Sequence, residues 1–165
     1  ALYYLARLIK GGEDLSFLVR RLIIVASEDV GNANPHAITI ANSSAQAIER
    51  VGMPEARIIL GQLCTFLASS PKSNRSYLAM DRALSDVKQK GPLDIPPHLL
   101  NAPTDLMKDM GRSSGYIYPH DDLPGARDLS YLPKEIKGRK YYEPSSFGYE
   151  EQIQRNLERL RPRRD

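Results

Sequence analysis

Apolar residues recur at helical spacing through residues 1–90, in five successive segments. The segments are separated by residues that commonly end helices, among them Gly12, Gly52 and Gly91. Two segments begin near a proline, Pro35 or Pro54, where the missing backbone N–H costs little because the first turn of a helix leaves it unpaired. The pattern therefore predicts five helices in this half of the chain.

The second segment contains the β-branched run IIV, which on its own would also suit a strand. The apolar pattern extends from Leu15 to Ala26, well beyond the roughly five to six residues of a typical strand. Asp14 stands immediately before it, where a carboxylate can cap the first turn of a helix. These features favour a helix over a strand.

The spacing also predicts which side chains form the inner faces of the helices. The third helix is expected to turn small and aliphatic residues inward, namely Ile38, Ala41, Ala45 and Ile48. The fifth is expected to turn larger residues inward, namely Tyr77, Met80, Leu84 and Val87. Small contacts allow two helix axes to approach closely, which suits a tightly packed bundle or a helix–helix interface between subunits.

The composition changes after residue 90, because nine of the twelve prolines and six of the nine tyrosines lie in the remaining part. Only two helices are predicted there, a short one from Thr104 to Met110 and a C-terminal one over residues 147–161. The C-terminal helix would carry Tyr149, Ile153, Leu157 and Leu160 on one face. Residues 91–146 are otherwise expected to be extended and to lie over the helical core of residues 1–90 or over a neighbouring subunit.

The bulk composition fits one domain over residues 1–165, with 41% hydrophobic and 26% charged residues. The net charge of +3 is too small to indicate a nucleic acid as the default partner. Cys64 is the only cysteine, so a reducing cytosolic compartment is expected, and no apolar run is long enough to predict a membrane span. Because the chain opens on a helical pattern without an initiator Met, we expect it to be a piece of a longer protein.

The stretch SSPKSN superficially resembles the Lys-Ser end of a phosphate-binding loop, with Lys72 and Ser73 in the matching places. It lacks the glycines that let backbone amides surround a phosphate, so an interhelical turn with Ser73 or Asn74 as a helix cap is favoured. The three histidines do not have zinc-ligand spacing. His120 is followed by two aspartates, but adjacent residues of an extended chain point in different directions, which favours a loop over a metal or catalytic site.

Glu28 and Asp29 lie at the end of the hydrophobic second helix, where the helix dipole disfavours negative charge. Such a placement indicates that another group interacts with these carboxylates. We predict a buried acid that accepts backbone N–H groups or an arginine, within the chain or across subunits, in preference to a general base.

The stretch GRKYYEPSSFGYE (residues 138–150) combines Arg139 and Lys140 with Tyr141 and Tyr142. Together with Tyr116, Tyr118 and the arginines near the C-terminus, these residues could form a basic, aromatic surface for single-stranded nucleic acid. Pro144 restricts the residue before it to extended conformations, and neighbouring side chains of an extended chain point to opposite sides. We therefore favour a strap, meaning a segment over residues 138–150 whose tyrosines anchor it on two different surfaces. The chain has no nucleophile elbow, phosphate loop or metal-ligand spacing, so catalysis within these residues is not expected.

Several longer stretches are specific enough to indicate a family: ALYYLARLIKGGED, RRLIIVASEDVGNANP, FLASSPKSN, HLLNAPTDLMKDMG, GYIYPHD and YLPKEIKGRKYYEPSSFGYE. In order and over nearly the whole chain, they resemble the C-terminal region of the replication-associated recombination protein A family. That family is also called MgsA and is related to the Werner helicase-interacting protein.

The resemblance implies a AAA+ ATPase related to clamp loaders and to the Holliday-junction branch-migration motor, acting in the bacterial cytoplasm and at the nucleoid. It implies an all-α bundle like the clamp-loader collar, which holds the subunits together as a homotetramer. Single-stranded DNA-binding protein and fork DNA are the implied partners of the full-length protein. ATP and Mg²⁺ would belong to an upstream core, because the Walker motifs, sensors and arginine finger are absent here.

The sequence gives two sets of candidate residues, one for the strap or an interface and one for structural roles. Those of the strap or interface are Tyr116, Tyr118, His120, Arg139, Tyr141, Tyr142 and Pro144. Those expected to be structural within the family stretches are Glu28, Asp29, Pro71, Lys72, Ser73 and Asn74. Two hypotheses remain open, a self-association domain and a module that binds DNA or a partner protein.

Overall fold

The computed structural model describes residues 1–160, and every regular element in that range is helical. The prediction of an all-α fold is confirmed. Eight α-helices lie within these residues: α1 (Leu2–Lys10), α2 (Leu15–Val25), α3 (His36–Val51), α4 (Ala56–Ser69), α5 (Arg75–Lys90), α6 (Asp105–Asp109), α7 (Leu123–Asp128) and α8 (Glu150–Leu160). None of these helices is both long enough and apolar enough to cross a bilayer.

The core of the first four helices is built around α4, which packs against α1, α2 and α3. Five of its side chains are buried, namely Ala56, Leu60, Leu63, Cys64 and Leu67. Leu5 and Leu18 join one end of this core, while Val30 and Ala37 join the other. Each fully buried leucine contributes about 1.5–3 kcal/mol, so these contacts are the main stabilising element of the bundle.

The helix boundaries in this half agree with the sequence signals. The Asp14 carboxylate caps α2 by accepting a hydrogen bond of 2.9 Å from the Phe17 amide. The run IIV is helical, and α2 continues into a π-helical turn, Ala26–Val30, and a 3-10 turn, Gly31–Ala33. The five predicted helices are therefore present.

The inner face of α3 differs from the prediction by one position. Ala41 and Ile48 are buried as expected, but Ile38 is 42% exposed, and Ala37 is fully buried in its place. Ala37 and Ala41 are four residues apart and share a face of the helix, whereas Ile38 is turned about 100° away from Ala37.

The prediction that four apolar residues of α5 face inward is wrong within the single chain. All four are exposed: Tyr77 by 47%, Met80 by 60%, Leu84 by 58% and Val87 by 63%. The buried residue of this helix is instead a polar one, Asp86. Helical spacing establishes which residues share a face, but it does not determine the direction in which that face points.

The second half contains both predicted helices and a third that was not predicted. Thr104 caps α6 by accepting a hydrogen bond of 3.3 Å from the Met107 amide. The C-terminal helix begins at Glu150, later than the predicted residue 147, and the predicted end at residue 161 lies outside the described residues. The unpredicted helix, α7, is six residues long and is capped by Asp122. A helix this short shows no helical periodicity.

The internal contacts divide the chain into two compact units. The first comprises Ala1–Asp81 with Tyr142–Arg155 and contains the core around α4. The second comprises Arg82–Tyr141 together with residues 156–160. Each unit contains a polar cluster centred on a buried carboxylate, Glu150 in the first and Asp86 in the second.

Candidate functional site

Glu150, the first residue of α8, is fully buried in the first unit. Its Oε2 accepts hydrogen bonds from Ser73 Oγ at 2.6 Å and from the Ser145 amide at 2.7 Å. Its Oε1 accepts a hydrogen bond from Tyr142 Oη at 2.8 Å. Hydrogen bonds to an ionised acceptor are roughly twice as strong as neutral ones, so this carboxylate is a strong anchor for the strap.

Asn32 extends this cluster toward the end of α2. Its Nδ2 donates to Tyr142 Oη at 3.1 Å and to Ser76 Oγ at 3.0 Å. We call the five residues Asn32, Ser73, Tyr142, Ser145 and Glu150 the clasp. The clasp joins three parts of the first unit that are far apart in sequence: the turn after α2, the loop before α5, and the strap.

Two glycines allow the backbone segments of the clasp to approach one another. A Cβ at Gly31 would lie 2.5 Å from the Ser73 carbonyl oxygen, and one at Gly148 would lie 2.2 Å from the Ala33 carbonyl oxygen. Both glycines have positive φ, +50° and +57°, which L side chains rarely adopt. The Tyr149 amide donates to the same Ala33 oxygen at 2.8 Å. Only glycine fits these two positions without displacement of the chain.

The clasp shifts the pKa of two of its members in opposite directions. Burial by itself would raise the pKa of Glu150, but the hydrogen bonds from Ser145, Ser73 and Tyr142 outweigh burial and lower it below its ordinary value of 4.5. Burial, reinforced by the nearby Glu150 carboxylate, raises the pKa of Tyr142 to about 12. Glu150 is therefore ionised and Tyr142 is neutral at physiological pH, which is the combination that the Tyr142–Glu150 hydrogen bond requires.

The second unit contains a similar cluster around Asp86 on α5. Asp86 Oδ2 accepts from Tyr141 Oη at 2.9 Å and from Arg139 Nε at 2.9 Å, while Oδ1 accepts from Arg139 Nη2 at 3.2 Å. The Tyr141 hydrogen bond, followed by Arg139, lowers the pKa of Asp86. Burial, followed by Asp86, raises the pKa of Tyr141. Adjacent strap tyrosines thus bind different carboxylates, as alternating side chains of an extended segment predict.

The SSPKSN stretch forms the turn between α4 and α5. Lys72 Nζ donates to the Leu67 carbonyl at 2.7 Å and to the Ser70 carbonyl at 2.6 Å, so it closes the C-terminal end of α4. Ser73 Oγ accepts a weak hydrogen bond of 3.3 Å from the amide of Arg75, the first residue of α5.

The neighbours of that lysine and serine also have structural contacts. The Asn74 carbonyl accepts from the Leu78 amide at 3.0 Å within the start of α5. A Cβ at Gly148 would lie 2.9 Å from Pro71 Cγ, which places the proline ring directly beside the strap. All four candidate residues of this stretch thus lie at or next to the junction of α4, α5 and the strap.

Glu28 and Asp29 do not have the predicted environment within the chain. Both lie in the π-helical turn Ala26–Val30, and both are exposed. The prediction of a buried acid is therefore wrong for the single chain. Asp29 instead contacts the α4–α5 loop through its backbone, because its carbonyl oxygen accepts a hydrogen bond of 2.7 Å from the Ser73 amide. The wide π-helical turn presents this carbonyl to the α4–α5 loop and leaves the carboxylates in solvent.

The remaining candidates of the strap or interface are outside both clusters. Tyr116 and Tyr118 are about half exposed, and the Tyr118 and His120 rings lie 5.1 Å apart between centroids. Pro144 is partly buried beside the clasp residue Ser145. An interface role for these residues stays a prediction.

Three residues that organise the clusters were not predicted from the sequence as site residues: Asn32, Asp86 and Glu150. From the sequence alone, Glu150 is only an acid in the first turn of the predicted C-terminal helix, where the helix dipole favours negative charge. Its partner Ser73 is 77 residues away in the sequence. The available signal was the hydroxyl-rich approach to α8, in which Tyr142 and Ser145 precede the acid within one short stretch.

Comparison with known proteins identifies the whole chain with one family. The family described as MgsA AAA+ ATPase C terminal matches residues 1–161. The chain is 43% identical to replication-associated recombination protein A of Haemophilus influenzae, over 98% of this chain and 36% of the relative. It is 42% identical to the protein of that name from Escherichia coli K12, over 95% and 35%.

A eukaryotic relative is more distant and much longer. The chain is 38% identical to the ATPase WRNIP1 of Dictyostelium discoideum, over 86% of this chain and 16% of that protein. The chain thus spans about a third of the length of the two bacterial relatives and less of this one. The resemblance recognised in the sequence is confirmed.

Proposed function

We propose a self-association function for this chain, which belongs to the family of MgsA AAA+ ATPase C-terminal domains. In this proposal the chain joins copies of a AAA+ ATPase into a homotetramer, through a helical core comparable to the clamp-loader collar. Because the relatives are named for replication-associated recombination, we place the assembled protein in replication-fork maintenance, repair and recombination.

The observation that carries the proposal is the exposed apolar stripe on α5. Its members Tyr77, Met80, Leu84 and Val87 are separated by three, four and three residues. This spacing is that of the a and d positions in a coiled coil, the narrow seam along which two helices pair. All four are exposed by 47% or more. We call these four residues the α5 seam, and we propose that another copy of the chain covers it.

The spacing of the seam is compatible with pairing between two identical copies. In an antiparallel pair related by a two-fold axis, Tyr77 of each copy would lie opposite Val87 of the other, and Met80 would lie opposite Leu84.

The rest of the proposed activity lies outside this chain. The matching family is by its description the C-terminal part of a AAA+ ATPase, so we place ATP and Mg²⁺ in the preceding ATPase core. Single-stranded DNA-binding protein and fork DNA are the partners that we propose for the full-length protein, in the bacterial cytoplasm at the nucleoid.

Light scattering of the isolated chain at micromolar concentration tests the proposed function. We expect a mass close to four times the 18.5 kDa of one chain. A strictly monomeric mass at all concentrations would contradict self-association. A monomer that retained single-stranded DNA in a salt-sensitive manner would support the alternative, a DNA-binding module.

A further inference from the structure

An apolar groove lies in the first unit, away from the clasp and the seam. It has a volume of about 290 Å³ and is formed by side chains of α1, α2 and α4. Its floor is buried, with Leu18 and Leu67 exposed by only 3% and 2%. Its mouth is open to solvent, where Leu8 is 44% exposed and Phe17 is 38% exposed. The groove therefore presents aliphatic surface that the chain itself leaves uncovered.

The charged side chains that line this groove are basic. Among the residues that the structure describes, Arg21 and Lys72 are the charged ones in the lining, and none of the lining residues is acidic. Arg7 and Arg20 lie on the same two helices, where their guanidinium groups stand over the rings of Tyr3 and Phe17. The acids of this region, Glu13 and Asp14, lie in the loop between α1 and α2. An apolar ligand with negative charge at its edges would thus be complementary to the groove.

We propose that this groove binds an amphipathic protein helix whose apolar face is flanked by acidic side chains. A helix that lays an apolar face into a hydrophobic groove is a common mode of peptide recognition. Single-stranded nucleic acid fits this surface less well, because bases stack on flat aromatic rings, and Phe17 is the one aromatic side chain among the described residues that line the groove. The inference does not depend on the proposed self-association function.

Fluorescence anisotropy with two labelled synthetic peptides tests this inference. One peptide is a helix of about four turns with leucines along one face and glutamates elsewhere, and the other has lysine in place of every glutamate. The expected result is saturable binding of the acidic peptide, weakening as salt increases, and no binding of the basic peptide. Equal binding of both peptides, or binding of neither, would overturn the proposal.

Variants locate the binding surface. Arg21→Glu is expected to weaken binding of the acidic peptide about tenfold, because an attraction is replaced by a repulsion of similar size. Arg50→Glu, the same change at an exposed position of α3, is the control and is expected to bind like the unmodified chain. Phe17→Ala should weaken binding without a change of charge, which keeps the test decisive if Arg21→Glu does not fold.

Two further measurements distinguish other occupants of the groove. Displacement of the peptide by oligothymidylate would identify a nucleic-acid site. A fall in the mass of the assembled chain on addition of the peptide would identify a contact between copies of the chain. Either result would overturn the proposal of a separate protein partner.

Discussion

Glu150→Ala is expected to lower the free energy of unfolding by about 4 kcal/mol, because it leaves three donors without their acceptor, each at a typical penalty of about 1–3 kcal/mol. Those donors are the Ser73 hydroxyl, the Ser145 amide and the Tyr142 hydroxyl. Urea denaturation followed by circular dichroism measures the change at a fixed protein concentration, so that assembly contributes equally to both proteins.

The adjacent acid provides a matched control for this substitution. Glu151 is exposed, and its carboxylate pairs with Arg155 one turn further along α8. Glu151→Ala is expected to change the free energy of unfolding by no more than about 0.5 kcal/mol. If the two alanine variants were equally stable, Glu150 could not be the anchor of the strap.

The pH dependence of stability provides a second check on Glu150. The pKa of Glu150 in the folded chain is below its ordinary value of 4.5, so the ionised carboxylate stabilises the fold. This stabilisation is fully present when the pH is above 4.5. This contribution is lost as the pH falls through the lowered pKa. Glu150→Gln cannot ionise, so the stability difference between the unmodified chain and this variant should be constant near neutral pH and should shrink below about pH 4. An unchanged difference at acid pH would contradict the assignment.

Leu84→Glu combined with Met80→Glu is expected to abolish self-association while leaving each chain folded. Both positions are exposed in the single chain, where a surface substitution changes stability by roughly 0.5 kcal/mol or less. In the proposed interface each glutamate would remove apolar burial and place an unpaired charge out of water. If each substitution costs the interface roughly 3 kcal/mol, even one of them weakens association more than a hundredfold. The measurement is mass by sedimentation equilibrium, with circular dichroism to verify folding.

Leu106→Glu is the control for this pair of substitutions. Leu106 on α6 is 70% exposed, so the same change of residue type is made at a more exposed leucine outside the seam. Its mass is expected to match that of the unmodified chain. Retention of the full assembly by the doubly substituted seam variant would show that another surface holds the copies together.

The helices of the first half were predictable because their signals are local. Asp14 caps α2 three residues before the amide it binds, and the apolar stripe of α4 is complete within one helix. The direction of the α5 stripe was not predictable, since Leu84 and Val87 share a face whether that face meets the core or another molecule. The helix α7 was missed because six residues that include Pro124 carry almost no periodicity.

The candidate site was predictable only in part, because its members come from distant parts of the chain. The stretches around Ser73 and Tyr142 were selected from the sequence, whereas Asn32 and Glu150, which join them, were not. Asn32 and Tyr142 are 110 residues apart, so no spacing rule links them. Glu28 and Asp29 were selected for an unusual position in a helix, but the π-helical turn leaves their side chains in solvent.

Thiol labelling of Leu84→Cys, with Leu106→Cys as its control, tests the central claim of self-association through α5 most directly. The native Cys64 is buried and stays in place. If copies of the chain cover the α5 seam, labelling at position 84 slows as the protein concentration rises into the range of assembly, while the rate at position 106 stays constant. Equal rates at both positions and at every concentration would contradict the claim.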